Sequence, residues 1–314
     1  MTLPALLAGR LSLPVIASPM FIISQPELVM AQCRAGIVGS FPSLNARPSG
    51  AFEEWLKRLT SELTENDAPF AVNLIVHRTN ERLEEDLALC VKYKVPLVIT
   101  SLGAREDVNE AIHSYGGLVF HDVIDDDFAR KAVEKGADGL IAVAAGAGGH
   151  AGTLSPFALI QEIRTWFDGP LALSGSIATG DAILAAQAMG ADLAYIGSTF
   201  IATEEAVADP AYKQMLVESS ARDIVYTNLF SGVHANYLRP SIVRAGLDPE
   251  NLAVSDSSKM NFEEITQGKK AWKDIWGCGQ GIGAIHAVVP ARELIGRMTR
   301  EYAAAKARIC GAVA

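Results

Sequence analysis

Residues 171–200 read LALSGSIATGDAILAAQAMGADLAYIGSTF. The short apolar run 171–174 leads into the small-residue turn 174–180. An alanine-rich stretch with helical spacing follows, and Gly190 stands where a left-handed residue would end that helix. A second apolar run, 193–196, then opens onto Gly197-Ser198-Thr199-Phe200. Strands apolar on both faces, joined by a helix, are the pattern of a parallel βα unit covered by helices.

The same turn occurs earlier in the chain. KGADGLI at 135–141 and MGADLAYI at 189–196 both place Gly-Ala-Asp between a helical stretch and an apolar run. Outward from these units the pattern predicts strands over 13–18, 36–40, 70–74, 97–101, 118–123, 139–143, 171–174 and 193–196. Helices are predicted over 53–63, 81–93, 126–135, 155–167 and 180–189, with Ser155 as an N-cap before Pro156. Eight strands alternating with helices imply an α/β chain closed into a (β/α)8 TIM barrel.

Beyond the barrel, assigned to 1–205, the rhythm breaks. Residues 206–220 are helical in pattern, 226–239 rich in aromatics and loop formers, and 248–270 polar, so 206–275 is read as a smaller, mostly helical lid subdomain. Residues 276–314 are expected to return to the barrel as one or two helices, with Pro290 at a break or a helix start.

The composition, 49% hydrophobic and 20% charged, is that of a folded enzyme. A net charge of -9 provides no basic footprint for nucleic acid. The N-terminal stretch lacks a basic n-region, and no membrane span is expected. Cys33, Cys90, Cys278 and Cys310 are scattered without metal-ligand spacing, so reduced thiols in the cytoplasm and no metal site are expected.

Barrel active sites lie at the C-terminal ends of the strands. After the seventh strand stand Gly175 and Ser176, and after the eighth Gly197 and Ser198. Small residues there let a phosphate approach backbone N–H groups; either loop alone would equally be a tight turn, but the pair favours phosphate. After the sixth strand, AAGAGGHAG at 144–152 has one large side chain, His150, which is expected to act on substrate. Ser18-Pro19-Met20-Phe21 follows the first strand, where Met20 fits either core packing or contact with a flat ligand. Asn73 lies in an apolar run and needs a partner, in the backbone or a ligand. His121 and Asp122 end the fifth strand and fit a structural pairing or a ligand role. Trp276-Gly277-Cys278-Gly279-Gln280-Gly281 reads as a helix cap or as a segment folded over the barrel mouth.

Together, NL (Asn73, Leu74), GAGGHAG (146–152), SGSIATG (174–180), GSTFIAT (197–203) and IWGCGQGIG (275–283) resemble the nitronate monooxygenase family, over nearly the whole chain. The resemblance implies an FMN-binding barrel that oxidises alkyl nitronates with O2. It makes His150 the catalytic base or substrate-orienting residue, with Pro19, Met20, Phe21, Asn73, Gly148, Gly175, Ser176, Gly197 and Ser198 lining the FMN. Asp122 joins them as a residue facing the ribityl chain or substrate. The sequence departs from the family pattern where Asp122 replaces a lysine of some relatives, where Val143-Ala144 and Gly146 replace a Gln-Gly and a Glu, and where GSTF replaces GTRF.

The same resemblance extends to NAD(P)H:quinone reductases and flavin-dependent enoyl reductases, so NAD(P)H is a second expected co-substrate. No GxGxxG opens a helix after a strand, so a nicotinamide would have to stack on the flavin itself. A non-flavin phosphate-binding barrel enzyme is the third alternative. Tyr226, Phe230, Tyr237, Trp272 and Trp276 are expected at the active-site entrance or at a homodimer interface.

Overall fold

The computed structural model describes residues 3–48, 50–254 and 275–311. The barrel units run β1 (Val15–Ala17), α1 (Pro26–Arg34), β2 (Gly39–Pro42), α2 (Ala51–Glu62), β3 (Phe70–Ile75), α3 (Leu83–Lys92), β4 (Leu97–Ser101), α4 (Glu106–His113), β5 (Leu118–Val123), α5 (Asp126–Glu134) and β6 (Gly139–Val143). A two-residue strand β7 (Gly149–His150) lies in the following loop, before α6 (Pro156–Arg164), β8 (Leu171–Ser174), α7 (Gly180–Met189) and β9 (Leu193–Ile196).

Eight of these strands form one sheet in the order β1-β9-β8-β6-β5-β4-β3-β2, every pair parallel. An Ile16–Val38 bridge brings its two edges together. Ile16, Ala71, Leu97, Ile99, Phe120, Ile141, Ala172 and Leu193 fill the interior and are fully buried, so the barrel is a packed core and not a pore.

The repeated Gly-Ala-Asp turn is the same device twice. Gly136 and Gly190 take φ of +92° and +113°, which a glycine adopts without steric cost. The aspartate that follows accepts an amide from the start of the preceding, adjacent strand: Asp138 Oδ2 from Val119 N of β5 at 2.7 Å and Asp192 Oδ2 from Leu171 N of β8 at 2.9 Å. A side chain from the helix that leads into that strand completes each turn, His113 of α4 on Asp138 and Arg164 of α6 on Asp192.

After β9 come α8 (Ser198–Ile201), α9 (Pro210–Glu218), β10 (Ile224–Thr227), β11 (Ala235–Leu238), α10 (Arg239–Arg244) and the long α11 (Ala291–Gly311). Two expectations need correction here. The aromatic stretch read as loop contains an antiparallel hairpin, β10–β11, whose second strand also pairs with β7; its long connection lacks the Asn-Gly or Asp-Gly turn that marks a hairpin in sequence. Ser155 occupies the N-cap position before Pro156, but its side chain makes no capping bond. Helices α1 and α4 were not anticipated. Trp272 and residues 255–270 of the polar stretch lie outside the described residues. No helix among the described residues is long and apolar enough to cross a membrane.

Candidate active site

The C-terminal strand ends open into one cavity of about 650 Å3. Its wall takes a residue from each strand end: Ser18 after β1, Pro42 of β2, Asn73 of β3, Ser101 of β4, Asp122 of β5, Val143 of β6, Ser174 of β8 and Gly197 after β9. Pro19, Met20, Phe21, Gly148, His150 and Ser198 also line it. A recess of about 20 Å3 adjoins it, lined by Gly146, Gly148, Gly175, Ser176, Gly197, Ser198 and Thr199. Each residue named in the sequence as a catalytic or flavin-lining candidate therefore lines the cavity, the recess or both.

The recess exists because four chain segments meet there with almost no side chains. A Cβ at Gly148 would stand 2.8 Å from Gly279 N, one at Gly279 would stand 2.5 Å from Gly146 O, and one at Gly146 would meet Ser176 Oγ at 2.2 Å. The glycine-rich segment after Trp276 folds back over the barrel: Gly279 N donates to Ser198 Oγ at 2.8 Å and Gln280 N to Gly146 O at 2.9 Å. Gly175 and Ser176 turn with φ of +137° and +57°, and a serine held in the left-handed region is strain of a kind that collects at ligand sites. Thr199 Oγ1 is buried in the recess with no hydrogen-bond partner among the described residues, a cost that a ligand oxygen there would remove. The Ser176 amide makes a long 3.3 Å bond to Gly146 O.

His150 reaches the cavity because β7 docks on β11, with His150 opposite Ala235. Its Nε2 lies 3.1 Å from Ser231 Oγ. Ser231 also lies 2.9 Å from Val233 O as donor; with its proton so used it would accept from Nε2, the tautomer that carries the ring's lone pair on Nδ1. Burial holds the imidazole down to a pKa of about 4, so it is neutral at physiological pH.

Asn73 finds its partners within the protein: Nδ2 donates to Ile99 O at 3.0 Å and to Ser101 Oγ at 2.8 Å, and the residue also lines the cavity. Ser101 passes the chain on, donating to Asp122 Oδ2 at 2.6 Å. Burial pushes the Asp122 carboxyl up to about 6, against the hydrogen bond from Ser101. It is the one carboxylate among the residues lining the cavity. His121 also lines the cavity, with Nδ1 2.6 Å from Thr100 Oγ1 and burial holding it down to about 4. Met20 lines the cavity and also packs on two core clusters.

Sequence reasoning missed several groups. Asn45 holds the loop after β1: its Nδ2 donates to Met20 O at 2.9 Å and Ser24 O at 2.8 Å, and its Oδ1 accepts from Ile22 N. Leu102 and Gly103 after β4, with φ of +61° and +138°, form another cavity wall, which the strand-end rule applied to β4 would have found. Tyr195, Thr199, Phe128 and Lys131 carry no local sequence signal. Of the aromatics, Trp276 lines the cavity and stacks on Tyr212 at 4.7 Å, and Tyr237 is buried with Phe230 edge-on to it. Tyr226 is the one left exposed, stacked on His234.

Barrel, recess and cavity define an α/β-barrel enzyme whose site lies at the carboxyl ends of its strands. The family model described as nitronate monooxygenase matches residues 82–301, and the chain belongs to that family of oxidoreductases. It is 27% identical to a nitronate monooxygenase of Paraburkholderia phytofirmans, over 92% of each chain. A probable nitronate monooxygenase of Bacillus subtilis is 24% identical, covering 93% of this chain and 96% of the relative. Among solved structures, nitroalkane oxidase of Streptomyces ansochromogenes superimposes with a TM-score of 0.81 at 25% identity, over 97% of this chain and 100% of that one. A variant of FabK from Thermotoga maritima does so with 0.80 at 25%, over 95% of each.

Proposed function

We propose that the chain is an FMN-dependent nitronate monooxygenase, converting alkyl nitronates and O2 to a carbonyl product and nitrite, in the cytoplasm. The observation that carries this is the continuity of the glycine-crowded recess, with its partnerless Thr199 hydroxyl, into a cavity that presents a neutral imidazole. The recess suits a phosphate: Gly175, Ser176, Gly197, Ser198 and Thr199 would hold it by amide and hydroxyl. The cavity volume is ordinary for a cofactor with a small substrate. Met20 and its neighbours Pro19 and Phe21 would lie against the flavin rings, with Gly148, Asn73 and Asp122 along its edge. A bound flavin supplies the electron-accepting chemistry that the side chains of the cavity lack.

His150 Nδ1 has the lone pair to take a proton from the carbon beside a nitro group, or to orient the nitronate. A negative charge arriving beside the ring raises its proton affinity, so the base strengthens as the anion forms. Ser231 fixes the tautomer and the ring plane through Nε2. The cysteines, unpaired in the fold, agree with a reducing compartment.

General-base help of this kind is worth about 10²- to 10⁴-fold. His150→Asn is expected to lose turnover of 2-nitropropane, the neutral acid that needs a base, by that factor while retaining its visible flavin spectrum; full activity with 2-nitropropane in the variant would remove His150 from that role. Reduction by NAD(P)H, with a quinone as acceptor, would use the same site, with the nicotinamide stacked on the flavin. Rapid flavin bleaching by NADH under anaerobic conditions would favour that second function, and its absence the first.

A further inference from the structure

We infer that the cavity takes an amphiphilic substrate: a reacting group at His150, an apolar chain along the outer wall, and an anionic terminus at Lys131. The inference rests on the reading of this cavity as the substrate site and adds what that substrate carries.

Helix α5 is the outer wall. It is strongly amphipathic, with Ala129 and Ala132 buried against the barrel and acidic residues at its start, Asp125 capping Phe128 N. A polar outward face is the expected partner of such a core face. Instead Phe128 is 52% exposed, and Ile124 at the entry to the helix is 42% exposed. Both line the cavity, and so does Lys131, three residues beyond Phe128. Leu102, on its left-handed loop, continues the apolar wall.

Charge completes the pattern. The neighbouring cations of α5 are engaged, Arg130 with Asp126 at 2.7 Å and Lys135 with Glu106 at 3.4 Å. Lys131 has no ion-pair or hydrogen-bond partner among the described residues, the nearby Asp127 included, and it is the one lysine or arginine lining the cavity. At the inner end stands Asp122, whose carboxylate opposes a second anionic group deep in the barrel. An anionic terminus is therefore placed at the rim, where Lys131 attracts it, with the apolar wall between.

The test is calorimetric titration of the purified full-length holoprotein with hexanoate, octanoate, decanoate and decanol as unreactive probes. Each two-carbon extension is expected to tighten binding by about tenfold. Decanoate is expected to bind about two- to fivefold more tightly than decanol, the strength of an exposed ion pair. Lys131→Met, a change on an exposed side chain, should erase the decanoate preference and keep the chain-length dependence, whereas Phe128→Ala should weaken the whole series. An affinity flat in chain length, or a preference untouched by Lys131→Met, overturns the inference. The visible spectrum of the same preparation separates the two levels: missing flavin defeats the proposed cofactor, while a flat series on a flavin-loaded protein defeats only the amphiphilic substrate.

Discussion

Ile22, Leu102 and Ser176 are three of the four non-glycine residues with positive φ among the described residues, and all three follow barrel strands at the mouth. Each costs on the order of 1–3 kcal/mol, and the surrounding hydrogen bonds hold them in place, as Asn45 does for Ile22. At this scale Asp122 makes the sharpest prediction. Its carboxyl, raised by burial to about 6, is largely neutral below that pH and charged above it. The charged form repels an anionic nitronate, so kcat/KM is expected to fall as pH rises through about 6, on the order of tenfold for a charge at close range in a partly buried site. Asp122→Asn should flatten that limb. A limb that persists in the variant would assign the titration elsewhere; His150, held down to about 4, is the wrong group for it. Asp122 was visible as a polar residue ending an apolar run, but its raised pKa was not, because the burial that raises it comes from the packing of the folded barrel.

At the scale of elements, the barrel strands were legible because each is buried on both sides and reads as an unbroken apolar run; six of the eight begin where the sequence places them. Helix α1 hid for a related reason. With Leu28, Val29, Met30, Gln32 and Cys33 all buried, it has no clean polar face to give a 3.6-residue period. The hairpin β10–β11 is held by docking on β7 and by Trp276 O accepting from Leu238 N at 2.7 Å, contacts between segments distant in sequence. The closing helix α11 packs on α7 through a point where only glycine fits: a Cβ on Gly180 would stand 2.1 Å from Tyr302 N and 2.3 Å from Met298 O. Those atoms are backbone and cannot turn aside, so Gly180→Ala is expected to lower stability by about 1–3 kcal/mol, read as a shifted urea midpoint. An unchanged midpoint would mean that α11 is not fixed against α7 as described.

For the whole molecule, the strand-end rule of barrels carried most of the site from sequence to structure, since the ends of all eight barrel strands converge on one cavity. What it could not show is what reaches that cavity from elsewhere. Thr199 shares the recess with Gly279 and Gly281, which arrive from a segment distant in sequence, and Phe128 and Lys131 line the cavity from a helix flank. Comparing the affinities of the apoprotein for FMN and for riboflavin tests most directly the proposal that the recess holds a phosphate. Two charge-assisted hydrogen bonds lost with the phosphate correspond to at least about a hundredfold, so FMN is expected to bind tighter than riboflavin by that factor or more. Equal affinity for the two would contradict the account, leaving the recess without its phosphate and His150 without the partner placed beside it.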